Sequence, residues 1–404
     1  MNSKWQKVQF KDLLAENTRN GLTKPKKIRG QGVNMISMKE IFANNRINDI
    51  DMEKVPVTNE EMRKFDIRKN DLLFARQSLV LEGAGKCCII NEITEPTVFE
   101  SHLIRVRIDI QKANPHFIYY YFNSKIGKLH MQSIVEQVAA AGIRASDLIN
   151  LYVPYPNVEI QNKISYILKS IDDKIELNNQ INKNLEQQID IIFHKYFYSD
   201  IKNSNENNCK PLGELITLVD NRGKTPPLEK MITEYPIIDV KALSGNNRII
   251  NYRNCTKYVN ETTYKSWFRS GHPISYDIII STVGTLAEIK LFFGNIGCIA
   301  QNVVALRSKK ISPLYLYQYL KNIRKNIMAY DIGSVQPSIK VTHITNHLIY
   351  IPNETNLKDF DNISKDFTIK IYQNCMENEN LIKLRDILLS KLMSGEIDVS
   401  EVEI

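Results

Sequence analysis

Nearly half of this chain is written twice, and a repeat of that length dictates architecture before any single residue is weighed. In the first half DLLFARQSLV (Asp71–Val80) leads to GKCCIINEITEPTVFESHLIRVRI; in the second, DIIISTVGTL (Asp277–Leu286) leads to GNIGCIAQNVVALR. Each run has the apolar density of a buried strand followed by further strand-like segments. An aromatic, helix-like segment then follows a proline turn at Asn114–Lys128 (NPHFIYYYFNSKIGK) and again at Ser312–Lys325 (SPLYLYQYLKNIRK), 198 residues on. YVPYPN (Tyr152–Asn157) and YIPNET (Tyr350–Thr355) stand at the same offset of 198.

Each half closes on a long helical pattern without proline or glycine, about Glu159–Tyr198 and about Leu357–Ser394. As heptads, the first puts Ile164, Ile171, Asn178, Leu185 and Ile192 on one seam, and Ile167, Lys174, Ile181 and Gln188 on the other. The second puts Phe360, Phe367, Asn374, Leu381 and Leu388 on one, and Ile363, Lys370, Glu377 and Leu384 on the other, at a constant offset of 196. Asn178 and Asn374 therefore coincide, as do Lys174 and Lys370. A polar residue at such a position costs stability but fixes register and partner. The expectation is an antiparallel coiled coil between these two helices, roughly 60 Å long for about 40 residues each. The alternative is that each helix packs on its own half.

At 404 residues the chain exceeds what one growing core accommodates, so two or more domains are expected. A hydrophobic fraction of 43% with 24% charged residues is that of a globular protein, and no apolar run approaches the roughly 20 residues of a membrane span. MNSKWQKVQFKDLL carries no apolar signal-peptide core, which makes a cytoplasmic location the expectation. The six cysteines (Cys87, Cys88, Cys209, Cys255, Cys298, Cys375) include no C-x-x-C pair, so neither a disulfide framework nor a zinc cage is indicated. A net charge of +8 suits an anionic partner without requiring one.

The order of globular segment, long helix, second globular segment and second long helix resembles the specificity subunits of type I restriction-modification systems. The segments that carry the resemblance are VPVTNEEMRKFDIRKNDLLFAR (Val55–Arg76), PNVEIQNKI (Pro156–Ile164), NRGKTPP (Asn221–Pro227) and ISYDIIISTVGTLAEIKLFFGNIGCIAQNVVALR (Ile274–Arg307). The double proline and glutamate-glutamine pair usual before the central helix stand here as Tyr155-Pro156 and Ile160-Gln161, and IPNETNLKDF departs further.

The resemblance implies an α/β (α+β) fold: two target-recognition domains joined and spaced by two long antiparallel coiled-coil helices, an internal pseudo-twofold repeat. The divisions expected are residues 1–156 and 201–355 for the two recognition domains, 157–200 for the central helix and 356–404 for the C-terminal helix. Each recognition domain would read one half of an asymmetric, bipartite double-stranded DNA site, with the helices fixing the unread spacer between the halves. The chain would be a non-catalytic recognition subunit with no cofactor or metal of its own. Two methyltransferase subunits would bring S-adenosylmethionine, and restriction/translocase subunits would bring ATP and magnesium. A pseudo-twofold chain offers two similar docking faces to two identical subunits.

DNA recognition needs cations on phosphates and side chains that reach base edges. The loop TRNGLTKPKKIRGQG (Thr18–Gly32) carries Arg19, Lys24, Lys26, Lys27 and Arg29 among glycines, and DNRGKTPPLEK in the second half offers Arg222, Lys224 and Thr225. Solvated surface loops are the plain alternative. Arg76 with Gln77, and Gln301 with Asn302, have the groups for bidentate contacts to purine edges, and of these Arg76 is carried as a candidate. Tyr119–Phe122 with Tyr315, Tyr317 and Tyr319 could stack on bases, but their helical spacing favours a core.

Rival chemistry has weaker outlines. Asp277 with Glu288-Ile289-Lys290 resembles the magnesium site of a nuclease, but the first repeat lacks the lysine. EGAGK (Glu82–Lys86) lacks the spacing of a phosphate-binding loop, and no methyltransferase cofactor loop is present. His343 and His347 share a helical face without a third zinc ligand and read as a surface pair. A coiled-coil adaptor unrelated to DNA would explain the helices and leave the repeated globular segments without a purpose.

Overall fold

The structure is a computed structural model describing residues 5–137, 141–294, 296–299, 301–333 and 335–403. The chain divides into two compact units, Met1–Lys174 with Asn380–Ile404, and Ile175–Glu379.

The core of the first unit is a five-stranded sheet ordered Arg19–Asn20, Leu103–Val106, Leu72–Ala75, Cys87–Ile90, Arg46–Ile47; only the last pair is parallel. Its central strands LLFA, CCII and LIRV are buried at every position, which is why they read as continuous rather than alternating apolar runs. A second sheet sets Val33–Ile36 between antiparallel Glu53–Val55 and parallel Thr97–Phe99. Gln6–Gln9 pairs with Tyr152–Tyr155 where the chain leaves for the long helix.

The second unit repeats this plan. Its main sheet runs Ile216–Val219, Val303–Ser308, Ile278–Ser281, Ile289–Leu291, and a parallel bridge from Ile249 to Leu291 stands where Arg46–Ile47 stands in the first. Tyr235–Ile238 again lies between an antiparallel and a parallel neighbour, and Cys209–Pro211 again pairs with the strand before the long helix, Leu348–Tyr350. The aspartates that open the repeated strands have the same task. Asp71 accepts the Arg68 N–H and a two-pronged bond from Arg107; Asp277 accepts the Ile274 N–H and the Arg307 guanidinium. Both follow a residue at positive φ, Asn70 at 71° and Tyr276 at 73°, so each carboxylate stabilises a turn that side chains other than glycine adopt reluctantly.

The aromatic segments form helices Pro115–Asn123 and Pro313–Asn322, each with proline in its first turn and an N-cap, Asn114 or Ser312, accepting two backbone N–H groups. Tyr119, Tyr120, Tyr121, Phe122, Tyr315, Tyr317 and Tyr319 are buried against the sheets, as helical spacing predicts, and none forms a stacking surface.

The long helices are Val158–Lys202 and Glu354–Met393, of 45 and 40 residues. They run antiparallel within each unit. In the first, Arg385 donates to Asp172 at 2.9 Å, and Leu392 and Met393 share a core with Ile164 and Leu168. In the second, Asn178 donates to Asn378 at 2.9 Å, Asn374 donates to Asn182 at 2.8 Å, and Phe193 and Phe197 pack on Phe360. Both helices thus contribute to both cores, and the compact units do not divide at 156, 200 and 355.

The heptad reading holds for one seam and needs correcting on the other. Ile164, Ile171 and Asn178 are buried, but the second seam runs through Leu168, Asn182 and Ile189, one residue later than the spacing suggested. In the C-terminal helix Ser364, Ile371 and Asn378 are buried rather than Ile363, Lys370 and Glu377. Lys174 and Lys370 are exposed. Four asparagines are buried along the helices instead: Asn178, Asn182, Asn374 and Asn378, all within 7% of full burial. Antiparallel pairing sets each predicted asparagine opposite one of the other two rather than opposite its equivalent.

One position, buried in the second unit and exposed in the first, separates the repeats. The Asn45 and Arg248 carbonyls accept equivalent strand N–H groups, from Ile89 and Leu291. In the second unit the Arg248 side chain is fully buried, donating to Glu186 at 2.9 and 3.0 Å and to Thr368 at 2.9 Å over the Tyr317 ring. In the first the exposed Asn45 lines a recess of about 600 Å³ together with Lys125, Lys128, Asp172 and Arg385, among others.

Candidate nucleic-acid interface

Strand direction assembles the candidate site. In the first unit Leu72–Ala75 ends where Leu103–Val106 begins, and at that sheet end the Arg76 N–H donates to the His102 carbonyl at 2.8 Å. The side chains of Gln77 and His102 meet at 3.1 Å, which fixes two groups able to address base edges. Arg19–Asn20 leaves the sheet at this same end, the Gly21 N–H bonding the Leu103 carbonyl, and launches the basic loop. Glycine is required there, because a Cβ on Gly21 would lie 2.2 Å from the Phe99 carbonyl oxygen.

Within that loop the five predicted cations separate. Lys24 is an internal tie, donating to both Glu61 oxygens at 2.8 and 2.9 Å, and Arg29 reaches the Lys24 carbonyl and Glu53. Arg19 lies in the strand, its Nε buried without a hydrogen-bond partner. Lys26 and Lys27 form a short 3-10 turn, are exposed and enter no ion pair among the described residues. Arg76 is half-buried and likewise enters no ion pair among the described residues.

In the second unit Ile216–Val219 delivers its loop to the equivalent end. Arg222 is clamped to Asp220 at 2.7 and 2.9 Å, while Lys224 is exposed. Thr225 accepts Gln301 Nε2 at 2.7 Å, and Thr282 N–H bonds the Asn302 carbonyl at 2.8 Å. The second unit therefore presents Thr225, Gln301 and Asn302 where the first presents Arg76, Gln77 and His102. Sequence reading set Gln77 and Gln301 aside. Their partners are 25 and 76 residues away, a distance at which no local pattern signals them.

The rival sites come apart. Asp277 precedes strand Ile278–Ser281 and is held by Arg307, whereas Glu288 bonds Arg324 and meets Ser281 at the other end of that strand. Lys290 is buried, donating to the Gly245 and Asn247 carbonyls, with burial pushing its pKa down to about 8. No metal ion could join carboxylates at opposite ends of a strand. His343 and His347 both pack on Tyr330, whose hydroxyl lies 2.7 Å from His347 Nδ1. Among the described residues no group of three or more His, Cys, Asp or Glu side chains is placed to hold a metal ion, and no helix is long and apolar enough to cross a membrane.

Equivalent ends of the repeated sheets thus carry two different polar arrays, with exposed cations on the flanking loops. Comparison with known proteins shows what such a chain is similar to. Residues 2–187 match the family described as "Type I restriction modification DNA specificity domain". The chain is 24% identical over 307 residues to the MjaIX specificity subunit of Methanocaldococcus jannaschii, covering 71% of this chain and 70% of that one. It is 26% identical over 165 residues to the EcoKI specificity subunit of Escherichia coli, covering 40% of this chain and 35% of that one. The crystal structure of a type I restriction-modification S subunit from M. genitalium shares the fold across 97% of this chain and 96% of its own, with a TM-score of 0.58 and 17% identity. The chain thus resembles type I restriction-modification specificity subunits in sequence and shares the fold of one of them.

Proposed function

We propose that this chain reads an asymmetric, two-part DNA site, one half with each unit, and acts without a catalytic centre of its own. The observation that carries this reading is the repeated sheet end: the same backbone framework presents Arg76, Gln77 and His102 in one unit and Thr225, Gln301 and Asn302 in the other. One framework bearing two sets of hydrogen-bonding groups suits two different half-sites. Lys26, Lys27 and Lys224 are the phosphate anchors of this scheme, whereas Lys24, Arg29 and Arg222 shape their loops.

The two long helices set the unread spacer, and their faces with the adjoining helices receive two methyltransferase subunits. Those subunits supply S-adenosylmethionine and adenine methylation. Restriction/translocase subunits, where present, supply ATP and magnesium. The work is cytoplasmic, where these cofactors and the host DNA are found. The recess beside Asn45 makes the two docking faces similar rather than identical.

The test is co-expression of the full chain with its methyltransferase subunits, followed by sequencing of host DNA for N6-methyladenine. A split, asymmetric motif that disappears without this chain supports the reading, and methylation indifferent to the chain overturns it. Deleting one heptad from each helix should then change the spacer and leave both half-sites as they were.

A further inference from the structure

The two most exposed large hydrophobic side chains among the described residues are Leu79, at 99%, and Val335, at 98%. They belong to different repeats, yet both sit at the candidate base-reading end of their sheet. Leu79 directly follows strand Gln77–Ser78, which continues beyond Leu72–Ala75 and pairs with Ala141–Gly142. Val335 lies at the tip of a loop closed by the Asp331–Ile339 bridge and tied to the extension of Ile278–Ser281 by Val283–Ser338.

Both tips are built. The Asp331 carboxylate accepts the N–H groups of Gly333 and Ser338 at 2.9 Å each, and the Gly284 N–H bonds the Pro337 carbonyl at 3.0 Å. A Cβ on Gly333 would fall 1.9 Å from the Gln336 oxygen, so the turn admits glycine alone. In the first unit Ser78 Oγ accepts the Val80 N–H at 3.1 Å, and the Val80 carbonyl accepts Gly83, so Leu79 projects from an ordered turn with Val80 and Leu81 also exposed.

A face for a folded protein partner would gather its apolar groups into a continuous desolvated centre. Here exposed aliphatic side chains, Leu79 to Leu81 in one unit and Ile332 with Val335 in the other, share the sheet end with hydrogen-bonding groups, Arg76, Gln77 and His102 in the first, Gln301 and Gln336 in the second. That is the composition of a surface that reads a groove: polar arms for base edges, an aliphatic group for a thymine methyl or an unstacked base step. We propose that Leu79 and Val335 are aliphatic DNA-contact tips, each laid against the bases of the half-site read by its own unit. The proposal rests on the DNA-recognition reading above.

The test uses the full chain co-expressed with its methyltransferase subunits and reads the methylated motif in Leu79→Ser, Leu79→Met and Val335→Ser. Both positions are solvated, so folding and co-purification with the methyltransferase subunits are unaffected in all three. Leu79→Ser lowers discrimination at one half-site by about tenfold, the scale of one lost base contact, and Val335→Ser does so at the other. Leu79→Met retains most of it. An intact wild-type motif that neither serine variant alters overturns the tips and leaves the recognition reading standing. Loss of the methyltransferase subunits from either serine variant makes the tips protein contacts and overturns the proposal. Absence of any motif dependent on the wild-type chain overturns both.

Discussion

Removing the Glu186 carboxylate should cripple the second unit, and removing its cationic partner as well should restore most of the loss. Glu186 receives the Arg248 backbone N–H at 3.0 Å, two guanidinium bonds at 2.9 and 3.0 Å, and Lys321 at 3.3 Å. The Arg248 side chain has no solvent exposure and the Glu186 side chain only 10%. Glu186→Ala therefore strands a guanidinium that water cannot reach, a defect that costs about 3–5 kcal/mol. Replacing the pair by Glu186→Leu with Arg248→Met removes both desolvation penalties and should come within about 1 kcal/mol of the parent. The chain has two tryptophans, Trp5 in the first unit and Trp267 in the second, so Trp267 fluorescence in a Trp5→Phe background follows the second unit alone. Urea midpoints should fall by roughly 1–2.5 M for Glu186→Ala at ordinary m-values. A loss below about 1 kcal/mol, or a double variant no more stable than Glu186→Ala, refutes the burial argument. Acid gives a second check. Burial alone would raise the Glu186 pKa, but Arg248 and then Lys321 hold it below the usual carboxylate value. Its stabilisation is complete above the unfolded carboxylate pKa and drains away as pH falls through the lower folded one.

Three further outcomes follow from described contacts. Lys26→Ala with Lys27→Ala should weaken DNA binding evenly across sequences and flatten its log-log salt dependence by about 2, whereas an altered motif would make these lysines base readers. Leucine at Asn178, Asn182, Asn374 and Asn378 should raise thermal stability while admitting more than one helix register, detected as methylated motifs with more than one spacer; a single unchanged spacer refutes the register role. Burial, then the nearby Arg46 charge, lowers the His116 pKa to about 4, below the unfolded value near 6.5. The first unit should therefore lose up to about 3 kcal/mol as pH falls across that window, with the loss absent in His116→Gln, measured by Trp5 fluorescence in a Trp267→Phe background.

Periodicity is local, and what it governs was legible in the sequence: the repeat, both long helices, the buried aromatic helices and one heptad seam. The second seam was misplaced by a single residue because Ile167 and Ile181 flank the interface and mimic seam positions, while the true positions include Asn182 and Ser364. The basic loops were legible as composition, but which cations remain available was not. Lys24 is spent on Glu61, 37 residues away, although the Arg222–Asp220 clamp spans two residues and could have been anticipated. The Arg248–Glu186 core and the Gln77–His102 pair depend on strand order, which propensity does not encode.

Leu392, Met393 and Val399 complete the same core as Phe10, Phe117 and Leu168. On the ribosome these groups appear only after the whole second unit has been made. The first unit, first to emerge, must wait with part of its apolar interior open to water, while Ile175–Glu379 is one contiguous stretch that can close ahead of it. Synthesis order and completion order are thus reversed, and the nascent first unit is the stage at which this chain most needs a chaperone.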